Sequence, residues 1–384
     1  MKNRLFIYIL FLAFIFSGCG STVKVEVYNT ESFDRHDELI EISISNILTK
    51  LPLSDSMTYC VIDEQNNVLP SQVTYDEKLI FQSDIKANQT RVYTISLGTP
   101  MKYSAKARGQ VYPQRKEDLA WENDKVGFRF YNKLLQQDEG SSNGLDIWLK
   151  RTNGMVLDKW YRENSEGKSY HTDHGEGCDP YVVGHSLGAG AMAPYVDGQL
   201  ILNGNYVSAE ILDNGPLRFT AKLTYPTIDI RGKEYNETRT VLLDAGSQLT
   251  KIVQEYAINE PLTVAAGFSK RTSGDSIIAN KGQNYFIYQE PLMPENGQVY
   301  LAVIIPQGID SVLVDSYDYN HPLKKQKQHY KHVLSTTTYT PNKPITYYTG
   351  FGWNKFGFPD LQSFQSYMNQ FSQSLKEPLI ITIK

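Results

Sequence analysis

Nine short stretches of alternating or briefly continuous apolar character, each closed by turn-forming residues, set the strongest limit on what this chain can become. They are residues 41–45, 58–63, 91–97, 126–131, 217–225, 238–243, 249–258, 298–305 and 379–383. Side chains of an extended strand project to alternate faces, so a period of two marks a half-buried strand. One hairpin is nearly explicit: Arg239-Thr-Val-Leu-Leu and Leu249-Thr-Lys-Ile-Val flank the turn-forming Asp244-Ala-Gly-Ser. Helical spacing is convincing only over residues 361–375, where Leu361, Phe364, Tyr367, Met368, Phe371 and Leu375 share a face. The expected fold is all-β with few helices.

With 384 residues the chain has material for more than one core. Residues 99–118 lack an apolar stripe and read as a polar linker. They would divide a small β-sandwich-like module at 24–98 from a large antiparallel supersandwich at 119–384. No fixed-period repeat is present, which disfavours propellers and solenoids.

Lys2 and Arg4 precede an apolar run over residues 5–16, followed by Ser17, Gly18 and Cys19. This is the layout of a secretory signal over 1–18, too short for a comfortable membrane span. Small residues directly before a cysteine resemble the site at which bacterial lipoproteins are cut, although Phe16 stands where leucine or valine is more usual. Cys19 is therefore the expected lipidation position, with 19–23 as the lipidated N-terminus and ordinary cleavage nearby as the alternative. The expected location is exported and periplasm-facing, with the membrane touched only through the lipid. Cys60 and Cys178 could pair after export, but spacing does not decide the geometry.

The formal net charge is −4, and loss of Lys2 and Arg4 with a leader makes the remainder more acidic. Phosphate neutralisation needs a Lys/Arg surplus, so nucleic acid is not an expected partner. The one basic cluster, Lys324, Lys325 and Lys327, reads as a solvated loop. Aromatic residues make up 12% of the chain, with 26 tyrosines and four tryptophans, a composition suited to carbohydrate-binding surfaces.

Residues 170–181, Tyr-His-Thr-Asp-His-Gly-Glu-Gly-Cys-Asp-Pro-Tyr, gather two histidines, three carboxylates and two tyrosines. Burying so many polar groups unpaired would be costly, so the cluster is a solvated loop, a metal site or a catalytic site. A divalent metal would draw on Asp173, Glu176 and Asp179 together with His171 and His174, although the spacing matches no established signature. Paired carboxylates could hydrolyse a glycosidic bond, but sequence neighbours rarely stand on opposite sides of one. Histidine and tyrosine could act as base and acid in β-elimination from a uronic acid. Just downstream, Gly184-His-Ser-Leu-Gly188 imitates a nucleophile elbow. That motif needs a helix after its turn, and Ala189-Gly-Ala-Met-Ala-Pro194 cannot sustain one, so Ser186 reads as a turn residue.

The segments Ala120-Trp-Glu-Asn-Asp-Lys-Val, Gly144-Leu-Asp-Ile-Trp-Leu-Lys, Asp158-Lys-Trp-Tyr, residues 170–181, Glu210-Ile-Leu-Asp-Asn-Gly-Pro-Leu-Arg-Phe and Tyr348-Thr-Gly-Phe-Gly-Trp are spread along the exported chain, and the resemblance they carry runs over nearly its whole length. Together they resemble an exported family from polysaccharide-degrading bacteria, catalogued as a domain of unknown function. That family includes dehydratases that remove water from the non-reducing terminal uronic acid of an oligosaccharide, leaving a 4,5-unsaturated uronate. The 239–253 hairpin also resembles strands of galactose-mutarotase-type supersandwiches. Cys178 and His185 depart from the family's motif, so neither is expected to be essential.

The resemblance implies an acidic oligosaccharide substrate. It implies His171 or His174 as the base, Tyr170 or Tyr181 as the acid, Arg129 and Lys150 as carboxylate-holding groups, and Trp148 and Trp160 as sugar platforms. The readings standing against it are a non-catalytic carbohydrate-binding lipoprotein and a hydrolase or polysaccharide lyase acting on acidic glycans. Beside each single residue stands a plainer role, because a tryptophan is usually core and a lone histidine is usually just hydrogen-bonded.

Overall fold

Alternation along residues 23–28 sends Val23, Val25 and Val27 to one face, where all three are fully buried. This is the start of the first core in the computed structural model, which describes residues 21–53 and 56–384. The leader at 1–18 and the lipidation position Cys19 lie outside the described residues.

The N-terminal unit is a five-stranded sheet in the order Ile380–Ile383, Val23–Tyr28, Thr90–Gly98, Thr58–Ile62, Val68–Leu69. A second sheet, Arg35–Ser43, Lys78–Ile85 and Ser71–Val73, shares its core through Ile40, Ile42, Leu79 and Phe81. Each such side chain contributes roughly 1.5–3 kcal/mol on leaving water. The edge strand Ile380–Ile383 arrives from the far end of the chain and pairs antiparallel with Val23–Tyr28. The module at 24–98 therefore closes only with a strand that the sequence expectation assigned to the other unit.

The larger unit is built on an eight-stranded antiparallel sheet in the order Ser208–Asn214, Arg218–Thr224, Glu237–Asp244, Leu249–Tyr256, Ile345–Trp353, Val299–Ile304, Tyr285–Gln289, Ser276–Asn280. Two five-stranded sheets pack against it over one core. The first runs Gly177–Cys178, Asp146–Lys150, Gly127–Phe130, Asp118–Asn123, Ala107–Tyr112. The second runs Gln199–Leu200, Ala189–Val196, Leu262–Ser269, Gln326–Tyr339, Ser311–His321. Contacts between layers include Phe128 edge-on to Phe351 and the Trp121 indole donating to Thr250 Oγ1 at 3.2 Å. The hairpin at Asp244-Ala-Gly-Ser forms as expected, with Gly246 supplying the positive φ of 81° that the turn needs.

Ala107–Tyr112, inside the stretch expected to be linker, is an edge strand of the first five-stranded sheet. Its inward positions include Ala107 and Gly109, and a Cβ at Gly109 would stand 2.7 Å from the Phe219 ring. Small residues fill the inner face because large rings from neighbouring strands occupy the space, so no apolar stripe shows in the sequence. Helix Leu157–Ser165 also escaped the periodicity reading, since only Leu157, Trp160 and Tyr161 are buried along it. Lys324, Lys325 and Lys327 are exposed around the tip of the Ser311–His321/Gln326–Tyr339 hairpin.

Helix Leu361–Lys376 packs Phe364 and Met368 onto the eight-stranded sheet, and Asp360 caps it by accepting from Ser363 N at 2.8 Å. Replacing Asp360 with alanine should lower stability in urea denaturation by about 1 kcal/mol, whereas a loss within error would show that the cap is inert.

Candidate functional site

The loop at 170–181 leaves helix Leu157–Ser165 and ends by pairing Gly177–Cys178 with Leu149 and Lys150. Its turn is tied by Asp173, whose carboxylate accepts from the Gly175 and Gly177 amides at 2.8 and 3.1 Å. Gly177 has φ of 118°, and a Cβ there would fall 1.9 Å from the Leu149 carbonyl oxygen, so only glycine lets the loop lie this close to the sheet.

The two imidazoles stay outside. His171 Nδ1 donates to the Asp179 carbonyl at 2.7 Å, and His174 Nε2 donates to the Ser169 carbonyl at 3.0 Å. A carbonyl can only accept, so each neutral ring has its proton assigned and keeps one basic nitrogen, Nε2 in His171 and Nδ1 in His174. The phenols go inside. Tyr170 is buried against Trp148, with ring centroids 4.8 Å apart, and Tyr181 donates to the Gly188 carbonyl at 2.8 Å. Burial pushes the Tyr181 hydroxyl far above the usual phenol range. Neither phenol is placed as the accessible acid that the sequence reading expected, because each ring completes a core.

Beneath the loop lies Arg129, 3% exposed. Its Nε and Nη2 donate to Asp146 Oδ2 at 2.9 and 2.5 Å, and Nη2 also reaches Asp179 Oδ2 at 2.9 Å. Tyr131 donates to the same Asp146 oxygen at 2.7 Å, and the guanidinium lies over the Tyr131 and Trp148 rings. Burial, and then the neighbouring Asp146, push the Asp179 carboxyl well above the ordinary range, against the pull of Arg129. His171 Nδ1 stands 3.7 Å from Asp179 Oδ2, which links the exposed ring to this buried network.

Lys150 is equally enclosed: it donates to Glu122 Oε2 at 2.7 Å, while Glu122 also accepts from the Val156 and Leu157 amides at the start of the helix. Trp148 and Trp160 stack on each other at 5.6 Å inside the protein. The expectation that Arg129, Lys150, Trp148 and Trp160 touch substrate is therefore corrected. Their charges and rings are taken up by partners on adjacent strands and the neighbouring helix.

The carboxylates expected to hold metal are also dispersed. Asp173 pairs with Arg151 at 3.1 Å, Glu176 with Lys159 at 2.6 Å, and Asp179 with Arg129. Among the described residues no three His, Cys, Asp or Glu side chains are gathered as a metal site. Cys60 and Cys178 are both free. Ser186 is buried, donating to the Val183 carbonyl at 2.6 Å, and strand Ala189–Val196 rather than a helix follows it.

The space directly beside His174 and Tyr170 is only about 10 Å³, room for a single water. A hollow of about 200 Å³ opens at the loop's other end, lined by Pro180, Tyr181, Val182, Arg271, Glu290 and Met293. Arg271 lies over the Tyr181 ring at 4.9 Å and pairs with Glu290 at 2.9 Å. Arg271 and Arg151 were missed in the sequence because nothing local marks either as adjacent to the loop.

A layered antiparallel sandwich carrying a polar, glycine-turned loop on the edge of one sheet defines an all-β protein of stacked sheets. The chain belongs to the family described as "Domain of unknown function (DUF4861)", which it matches over residues 27–381. It is 27% identical over 407 aligned positions, covering all of both chains, to "Uncharacterized protein P7" of Formosa agariphila. Among solved structures it is similar to a protein in glycosyl hydrolase family 38 from Enterococcus faecalis, at 10% identity and TM-score 0.50, over 94% of this chain and 47% of that one. It is also similar to an alpha-mannosidase from Enterococcus faecalis V583, at 9% identity and TM-score 0.49, over 94% and 46%. The chain thus spans about half the length of these two solved structures.

Burial, relieved in part by Arg129, pushes the Asp118 carboxyl near this network up to about 7. Between roughly pH 4 and pH 7 the folded state keeps a proton that the unfolded state has lost. Stability from this group is therefore present at low pH and lost as pH rises, by about 1.4 kcal/mol per unit. In urea unfolding at about pH 5 and about pH 7, the native protein should lose on the order of 2–3 kcal/mol more than Asp118→Asn. Parallel pH profiles would contradict the shift.

Proposed function

We propose that the protein is an exported, lipid-anchored carbohydrate-active enzyme that eliminates water from the non-reducing terminal uronic acid of acidic oligosaccharides. The observation that carries this reading is the His171 ring: its Nδ1–H is committed to the Asp179 carbonyl, so its basic Nε2 faces outward from an exposed loop. In the elimination the C5–H bond breaks and its proton passes to His171 Nε2. The electron pair forms the C4–C5 double bond, and the C4 hydroxyl leaves as water on protonation. With Tyr170 and Tyr181 enclosed, that proton comes from His174 in its doubly protonated form, through the Nδ1 that the Ser169 carbonyl leaves free. The developing negative charge beside the uronate carboxylate needs a cation, and Arg151, 38% exposed and tied to the loop through Asp173, is an accessible candidate, as is Lys159, tied to the loop through Glu176. Family membership and the layered fold shared with a glycosyl hydrolase family 38 protein support a carbohydrate-active role.

A purely carbohydrate-binding role drew its appeal from the aromatic surplus. Trp121, Trp148, Trp160 and Trp353 are all buried, so the tryptophans form core rather than sugar platforms.

Incubated with a glucuronate-terminated disaccharide, the protein should generate the absorbance of an unsaturated uronate without releasing reducing sugar. Release of reducing sugar with no new chromophore would mean hydrolysis instead, and a flat trace across varied uronate termini would leave binding alone. His171→Ala should lower turnover by about 10²- to 10⁴-fold with unchanged thermal unfolding. Full activity in that variant would remove the histidine from the reaction.

A further inference from the structure

A cavity of about 580 Å³, larger than either hollow beside the loop, lies on the outer face of the eight-stranded sheet. Strand register builds its floor. Leu242 pairs with Lys251 and Lys251 with Tyr348, so the three side chains form one row across Glu237–Asp244, Leu249–Tyr256 and Ile345–Trp353. One wall is the 33–41 segment of the N-terminal unit, and the other is the face of helix Leu361–Lys376 bearing Tyr367, Phe371 and Leu375. The Ile380–Ile383 strand holds these walls together, since it follows that helix directly and pairs with the N-terminal unit.

Most of the charges lining this space are paired with one another or with neighbours just outside it. Arg218 reaches both Asp244 oxygens, at 2.6 and 2.9 Å, and also Glu41 at 2.5 Å, while Lys78 joins Glu41 at 2.8 Å. Glu38 leans on Arg35 at 3.5 Å, Asp34 pairs with Lys86 at 2.7 Å and the His36 ring stands 3.6 Å from Asp84, while the Asp37 carboxylate lies beside Gly246 with no ion-pair partner among the described residues. Lys251, half-buried, has no ion-pair or hydrogen-bond partner among the described residues. Burial works against its charge, so an incoming anion would recover what desolvation has cost. Beside it Tyr348 and Phe371 meet edge to face at 5.4 Å, offering half-exposed rings to the C–H face of a sugar. The volume falls in the usual range for small-molecule sites, roughly 300–1,000 Å³.

We propose that this cleft is a saccharide-binding site for an acidic mono- or disaccharide, with the Lys251 ammonium meeting the carboxylate and Tyr348 and Phe371 packing on the ring. It is separate from the histidine loop and does not rest on the elimination reading. The test is calorimetric titration of the His171→Ala protein with a glucuronate-terminated disaccharide and, separately, with its neutral methyl ester. The acid should bind saturably and at least tenfold more tightly than the ester. Adding Lys251→Gln should bring the acid to the level of the ester, adding Lys251→Arg should restore most of the difference, and adding Phe371→Ala should weaken both ligands. Thermal unfolding of each variant reports whether the fold survives. Absence of saturable binding by the acid, or equal affinity with lysine and glutamine at 251, overturns the proposal. A missing chromophore in the turnover assay alongside intact Lys251-dependent binding would sink only the elimination reading.

Discussion

The Arg129 guanidinium, sealed under the 170–181 loop and shared by Asp146 and Asp179, is the contact on which the arrangement of the candidate site depends. Asp146 belongs to a strand of the sheet and Asp179 to the loop, so one cation fastens the loop to its scaffold. Removing one partner from such a buried pair typically costs about 3–5 kcal/mol, because the abandoned charge stays out of water. The same clamp fixes the backbone carbonyl of Asp179, and that carbonyl in turn sets the tautomer of His171. Two acids facing one arginine leave the network short of positive charge. Burial and the neighbouring Asp146 therefore raise the Asp179 carboxyl despite the pull of Arg129, and the His171 ring stands 3.7 Å from that carboxylate.

A second dependence runs through the C-terminus. Helix Leu361–Lys376 lies on the outer face of the eight-stranded sheet, and the following strand completes the N-terminal sheet. The two cores are thus joined at both ends of the chain, and the cleft around Lys251 exists because that join sets a helix and a strand segment over a bare sheet face. The loop site and the cleft are products of different constraints: one of a buried ion network, the other of packing between units.

The polar residues of the first five-stranded sheet follow a common pattern. Lys150 with Glu122 and Arg129 with Asp146 each pair across strands, and Glu122 further caps the start of the Leu157–Ser165 helix. Such groups look like ligand contacts when only one partner is in view. Seen with both partners they are internal supports, while the side chains of His171, His174 and Arg151 reach solvent.

The sequence by itself determined the elements whose information is local. Period-two alternation marked strands such as Thr90–Gly98 and Leu249–Tyr256, turn chemistry marked the Asp244-Ala-Gly-Ser hairpin, and six apolar residues on one face marked the C-terminal helix. It also singled out the loop, because two histidines and three carboxylates among glycines need no partner to be conspicuous. Only the tertiary structure decided which groups of that loop stay in water, that Arg129, Lys150, Trp148 and Trp160 are enclosed, that Ala107–Tyr112 is a strand built on small residues, and that Lys251 stands in a cleft without a partner among the described residues. The physical reason is the same in each case. Propensity and periodicity act between residues a few positions apart, whereas burial and charge pairing are set by groups such as Asp146, Phe219 or Tyr348 that reach their partners only once the sheets have closed.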